Sequence, residues 1–237
     1  INSLEDGVLR IGASSTLTSI MESGIIRSKY KILVETADNM ASVQVRNRAT
    51  IGGNLCNASP SADMAPPLIA LDAQAIVENS HSKRKINLES FFLGPGEVDI
   101  LPAEILTEIH LPPIPNRSGS VYLKQKRNAL DLALVGVAVQ LVLNEDETCA
   151  SAKIVLGAVG PTPIVACEAS SILSNTKLNK HSIEKAAAVA AEEAKPIDDI
   201  RTSAWYRRWM VKVLTARAIH IANKRAVQSF ASNGGGL

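Results

Sequence analysis

One stretch decides the predicted fold and function: Arg46-Asn47-Arg48-Ala49-Thr50-Ile51-Gly52-Gly53-Asn54-Leu55-Cys56-Asn57-Ala58-Ser59-Pro60-Ser61-Ala62-Asp63. It places two consecutive glycines before an amide, and then adds short polar side chains and a carboxylate. Because glycine has no Cβ, Gly52 and Gly53 can turn main-chain N–H groups towards a ligand, and such a row of donors suits a diphosphate. A Gly-Gly pair alone favours an ordinary tight loop instead.

Uncharged polar side chains and one carboxylate complete the stretch. The hydroxyl and amide groups of Thr50, Asn54, Asn57 and Ser59 are suited to sugar or ribityl oxygens. Asp63 precedes a short predicted helix, Met64 to Leu71, with prolines in its first turn, so its carboxylate can serve as the N-cap. Capping does not exclude a ligand, since a helix N-terminus favours anions.

This ordered stretch resembles the second flavin-binding segment of the molybdenum hydroxylase flavoproteins. That family includes the medium subunit of carbon monoxide dehydrogenase, the flavin domain of xanthine dehydrogenase and the flavin subunit of hydroxybenzoyl-CoA reductase. The resemblance implies an α+β chain that contains the larger subdomain of the PCMH-type FAD-binding fold. It also implies that FAD is bound here by a set of matching residues: Thr50, Ile51, Gly52, Gly53, Asn54, Ser59 and Asp63.

The composition limits which classes of binding partner the sequence indicates. The 237 residues are 46% apolar and 20% charged, enough for one large or two modest cores, and the net charge of +2 does not indicate nucleic acid or an anionic membrane. Three widely separated cysteines predict neither a disulfide framework nor a metal site, and they favour a reducing, cytoplasmic location. No apolar run approaches the ~20 residues that a membrane span needs.

The chain enters a predicted strand, Val8 to Ala13, almost at once. In the family that it resembles, a smaller subdomain with the first flavin-binding segment precedes this strand. We therefore expect either a fragment or a protein whose first half of the diphosphate site lies on another chain.

Further elements follow from residue spacing. A helix is predicted from Leu17 to Met21, ended by Gly24, and a second from Tyr30 to Met40. A hairpin is predicted from Ala73–Glu78 and Lys85–Leu88. The next strand alternates, with Ile105, Thr107, Ile109 and Leu111 on one face and Leu106 on the other. The resemblance puts Leu106 against the isoalloxazine ring, whereas the residues alone favour ordinary packing.

The proline-rich segment Pro112 to Ser118 predicts a domain boundary. A strand follows in which Tyr122 and Lys124 share a face. The residues alone favour a solvated basic edge. The resemblance instead implies that the tyrosine borders the isoalloxazine, with the lysine close by. Two further strands, Leu134–Leu143 and Ile154–Val159, complete a three-stranded antiparallel sheet that Pro161 and Pro163 end. Two helices come next, Ile183–Ala194 and Trp205–Ala222. The predicted domains are 1–113 and 114–225, with a mobile tail at 226–237.

The resemblance implies an FAD subunit of a dehydrogenase that works with a [2Fe–2S] small subunit and a molybdopterin large subunit. Electrons would pass from the iron–sulfur clusters through FAD to NAD, a quinone or dioxygen, and no residue of this chain would act as an acid, base or nucleophile. Two alternatives stay open: a flavin reductase of the enolpyruvyl-sugar type, and a non-catalytic interaction module without flavin.

Overall fold

The computed structural model describes residues 1–233, with side chains as far as residue 229. Its strands are β1 Asn2–Ser3, β2 Leu9–Gly12, β3 Gln74–Glu78, β4 Lys83–Asn87, β5 Phe92–Gly94, β6 Glu97–Val98, β7 Ile105–Leu111, β8 Ser118–Gln125, β9 Val135–Leu143, β10 Cys149–Gly157 and β11 Ile164–Val165. Its helices are α1 Leu17–Glu22, α2 Gly24–Lys29, α3 Lys31–Asp38, α4 Val43–Arg46, α5 Ile51–Cys56, α6 Ala65–Ala70, α7 Leu88–Phe91, α8 Cys167–Leu173, α9 Lys180–Glu193 and α10 Ala204–Asn233. None of these helices combines the length and apolarity of a membrane span. The α+β class is confirmed.

The first half of the chain is built on an antiparallel sheet in the order β1-β2-β7-β3-β4. Apolar side chains of this sheet pack with those of α1–α3, α5 and α6 into one buried core. The predicted hairpin is confirmed as β3 and β4. Gly24 does not end a helix as predicted, because Ser23 takes an extended conformation there and Gly24 begins α2.

The predicted alternation along β7 is wrong at its start. The pairing with β3 shifts by one residue at Thr107, so that Ile76 lies opposite Glu108 but Val77 lies opposite Leu106. An extra residue in one strand reverses which face the following side chains occupy. Leu106 therefore packs against the same core as Ile109, while Ile105 is 65% exposed.

The sheet of the second half has four strands rather than three in the part of the chain that is described, in the order β11-β10-β9-β8. β10 ends at Gly157, before the two prolines, but the sheet does not end there as predicted, because Ile164 and Val165 pair back onto β10. One face of this sheet packs against α8, α9 and α10 in a second core. Its other face, including Tyr122 and Ala138, joins the first core. The two halves thus share a packed interface.

The last helix is longer than predicted. It continues to Asn233, so the segment predicted as a mobile tail is helical through that residue, and 234–237 lie outside the described residues. Arg225 lies beyond the predicted end of the helix, and its guanidinium makes two hydrogen bonds of 2.8 Å to the Glu35 carboxylate of α3. Gly119 of β8 allows the helix backbone to approach closely at Ala222.

Candidate functional site

The Gly-Gly segment is a helix start rather than the predicted loop. Thr50 is extended and caps α5, its Oγ1 accepting a hydrogen bond of 3.1 Å from the Gly53 N–H. A threonine in this position satisfies one of the amides that a first helical turn leaves without a partner. The cap therefore fixes the conformation of the glycines.

The main-chain amides of the two glycines have internal acceptors, which corrects the predicted row of ligand-facing donors. The Gly52 N–H donates to the Ala13 carbonyl at 2.9 Å, and the Gly53 N–H is held by Thr50. A Cβ on Gly52 would lie 2.7 Å from the Ala13 Cβ and 2.8 Å from the Ala13 oxygen. Glycine is required at position 52 by this close packing, and the outward-facing donors of the segment are side chains.

Ala13 also joins the helix start to the start of β7. Its N–H donates to the Thr107 carbonyl at 2.8 Å, while its own carbonyl accepts from Gly52. These two hydrogen bonds place half-buried Leu106 and exposed Ile105 beside the first turn of α5. The structure thus brings together two groups that lie more than fifty residues apart in the sequence.

The polar residues after the glycines are fixed by local hydrogen bonds. The Asn54 Oδ1 accepts from the Met64 N–H at 3.3 Å, which leaves its Nδ2 group without a hydrogen-bond partner among the described residues. The Ser59 Oγ accepts from the Ser61 N–H at 3.3 Å. Asn54 and Ser59 are both half-buried, so each keeps access to the surface.

Asp63 does not cap α6, which corrects that prediction; α6 begins after Met64 without a side-chain cap. Instead its carboxylate accepts from the Tyr122 hydroxyl at 2.9 Å and from the Lys124 ammonium at 2.7 Å. The side chains of Asp63 and Lys124 are only 6% and 5% exposed. A charge so deeply buried needs a partner, and Lys124 supplies it across the interface between the two halves.

Tyr122 and Lys124 share a face as predicted, but they lie beneath the surface. Burial raises the pKa of the Tyr122 phenol well above its ordinary value, and the neighbouring Asp63 charge and hydrogen bond act in the same direction. The phenol is therefore neutral and donates to Asp63. Gly136 makes room for the ring, since a Cβ there would lie 2.9 Å from the tyrosine Cε2.

A neighbouring turn adds residues that the sequence did not single out for the site. Burial opposes ionisation of Asp199, yet the hydrogen bonds from the Arg201 amide, the Arg201 guanidinium and Arg207 outweigh it and lower the Asp199 pKa well below its ordinary value. Arg201 reaches Ser61 at 3.5 Å, and Arg207 donates to the Ala158 carbonyl at 2.8 Å. The turn therefore holds the Ser59–Asp63 segment against the second half.

Comparisons with known proteins agree over both halves. Residues 2–114 match the family model described as the FAD binding domain in molybdopterin dehydrogenase, and residues 120–222 match the CO dehydrogenase flavoprotein C-terminal domain. The xanthine dehydrogenase FAD-binding subunit of Escherichia coli O157:H7 is 32% identical over 91% of this chain and 74% of its own length.

The chain belongs to the family of FAD-binding subunits of molybdopterin dehydrogenases.

Other relatives lead to the same family. The carbon monoxide dehydrogenase medium chain of Afipia carboxidovorans is 34% identical over 91% of this chain and 75% of its own length. The structure of reconstituted CO dehydrogenase from Oligotropha carboxidovorans superimposes with a TM-score of 0.90 at 34% identity, covering 94% of this chain and 78% of the matched chain. Members are subunits of oxidoreductase complexes. The match of the second half favours this family over the enolpyruvyl-sugar reductases.

The residues at this edge fit the family's cofactor, FAD. Thr50 and Asn54 are neutral donors, suited to diphosphate and ribityl oxygens, and Gly53 between them is exposed. Half-buried Leu106 supplies apolar surface of the kind that a flat ring system covers. Among the described residues no cluster of histidine, cysteine, aspartate or glutamate is arranged to hold a metal ion.

Proposed function

We propose that FAD binds along the edge formed by the first turn of α5 and the start of β7. Thr50, Asn54 and Ser59 form its polar part and contact the diphosphate and ribityl groups, and exposed Gly53 leaves room for these groups to approach. Leu106 forms its apolar part and packs against the isoalloxazine. The hydrogen bonds from Gly52 to Ala13 and from Ala13 to Thr107 carry this proposal, because they fix the polar and apolar parts side by side.

Five residues of the predicted set act from beneath this edge. Ile51 is fully buried and Gly52 packs on Ala13, so both anchor the helix start. Asp63, Tyr122 and Lys124 are positioning residues: their buried hydrogen bonds attach the segment after α5 to the second half of the chain. Rigid support of this kind holds a cofactor site in one geometry.

We further propose that the chain works with a [2Fe–2S] small subunit and a molybdopterin large subunit. The names of its relatives, which include medium chains and FAD subunits of dehydrogenase complexes, support this assembly. Bound FAD supplies the redox chemistry, by which electrons from the iron–sulfur subunit reach an external acceptor such as NAD, a quinone or dioxygen. The cytoplasmic location predicted from the cysteines stays a prediction.

An Asn54→Asp substitution tests the assigned edge. The aspartate keeps the Oδ1 acceptor for the Met64 N–H but replaces the amide donor with a negative charge beside the proposed diphosphate. Losing one hydrogen bond to a charged group costs about 1.5–3 kcal/mol, so we expect FAD to bind about 10- to 100-fold more weakly. Flavin content and Kd, measured by absorbance and fluorescence on the purified complex, report the change.

The matched control is Asn179→Asp. The Asn179 side chain also accepts from a main-chain N–H, that of Ser182 at 3.0 Å, but it caps α9 far along the chain in the second half. Flavin binding should not change in this variant. Equal flavin affinity in Asn54→Asp and the control would contradict the proposed site.

A further inference from the structure

The first turns of α10 carry an exposed aromatic stack. Trp205 is 71% exposed and Trp209 is 51% exposed, and their rings lie parallel with centroids 6.2 Å apart. Tyr206 packs obliquely on Trp209 at 6.0 Å. Exposed, contiguous aromatic side chains on a globular protein commonly mark a contact with another molecule.

A groove of about 560 Å³ runs between these tryptophans and α9. Ala188 and Ala191 line the α9 side, and their small side chains leave the groove open. The shape suits an apolar side chain of a partner that inserts between the two helices. Shape and apolar character together are features of the centre of a protein interface.

Positive charge borders the groove. Arg208 and Lys212 share this face of α10 with the tryptophans, are exposed, and make no ion pair with a described residue. One acidic residue, Glu192, lines the same groove. The surface formed by Trp205, Arg208, Trp209 and Lys212, which we call the tryptophan surface, therefore complements an acidic partner.

We propose that the tryptophan surface docks the iron–sulfur subunit through an acidic face with an apolar centre. This inference rests on the assembly proposed above. The turn that precedes α10 connects the surface to the cofactor edge, because Asp198 accepts from the Ala204 N–H at 2.6 Å and Arg201 reaches Ser61. A subunit that delivers electrons to the flavin must lie close to it, and this surface begins beside the segment that flanks the flavin edge.

A second copy of this chain is the less suitable occupant. In a two-fold contact the same patch faces itself, so the Arg208 and Lys212 of both copies would meet. Like charges in contact oppose association. The charge pattern therefore favours a different, acidic protein.

Two variants of the full chain test the surface. Trp209→Ala removes the central aromatic ring, and we expect the Kd for the purified iron–sulfur subunit to rise roughly 30-fold or more, as for an interface anchor. Arg208→Glu with Lys212→Glu reverses the border charge, and we expect slower association at low salt and a smaller difference at high salt. Surface plasmon resonance measures both rates. Lys185→Glu, an exposed cation of α9 outside the groove, is the control and should bind like the wild type.

Each outcome decides one point. If the wild type binds the iron–sulfur subunit and both variants bind equally well, the tryptophan surface is not the docking site, although the proposed function stands. If the wild type binds FAD but no iron–sulfur subunit, the proposed assembly fails. If sedimentation of the chain alone shows a dimer that Trp209→Ala abolishes, the surface pairs copies of this chain and the inference is overturned. Circular dichroism and flavin retention confirm that each variant is folded.

Discussion

Replacing Asp63 by asparagine should destabilise the chain strongly. The change keeps an acceptor oxygen for the Tyr122 hydroxyl but removes the negative charge 2.7 Å from the Lys124 ammonium, whose side chain is 5% exposed. Breaking a buried ion pair by removing one partner typically costs about 3–5 kcal/mol, because the other charge stays buried without compensation. We therefore expect the free energy of unfolding to fall by about that amount.

Urea denaturation of the full chain, followed by circular dichroism, measures the loss. The control is Glu184→Gln, which removes a carboxylate from an exposed pair, since Lys180 and Glu184 have side chains 87% and 60% exposed. Such a pair contributes at most about 1 kcal/mol. Adding Lys124→Met to Asp63→Asn should restore part of the stability, because no buried charge then remains. The reasoning is refuted if Asp63→Asn lowers the free energy of unfolding by no more than the control substitution does.

Two more substitutions test the fold around the site. The Glu104 carboxylate accepts hydrogen bonds from Arg84 and from the Leu101 N–H, which lower its pKa from 4.5 to about 2. The stability that this carboxylate contributes is therefore fully present above pH 4.5 and is lost as the pH falls towards 2. Glu104→Gln should lower the urea midpoint at neutral pH, and its stability should fall less on acidification than that of the wild type. Parallel plots of stability against pH for the two proteins would contradict this. Gly52→Ala should lower the free energy of unfolding by about 1–3 kcal/mol, since the new Cβ overlaps Ala13. The control is Gly24→Ala, which should be neutral or slightly stabilising because a Cβ there meets nothing within 4 Å. Thermal melts that rank the two variants the other way would be inconsistent with the packing at Gly52.

Local sequence patterns predicted much of the architecture. The strand predicted from the β-branched residues of Leu134–Leu143, the hairpin β3–β4 and the alanine-rich helix α9 depend on neighbouring residues, and all three are present. The family could be recognised because several unusual residues follow one another in order between Arg46 and Asp63. Features of this kind are local, so a single sequence records them.

The features that the sequence did not predict depend on contacts between residues that lie far apart along the chain. Nothing near Asp63 indicates that its partners lie 59 and 61 residues away, so a helix cap was the natural interpretation. The helix at Ile51–Cys56 contains two poor helix formers and is stabilised by the Thr50 cap and by Ala13. The face of Leu106 depends on a register shift against β3, which residue spacing within β7 cannot record.

Hydrogen–deuterium exchange on the purified complex, with FAD removed and then restored, tests the central claim most directly. The account predicts that FAD slows exchange in peptides covering Thr50–Asn57 and the start of β7 at Leu106, and leaves the hairpin between β9 and β10 unchanged. Restored FAD that leaves exchange at Thr50–Asn57 unaltered while protecting another region would contradict it.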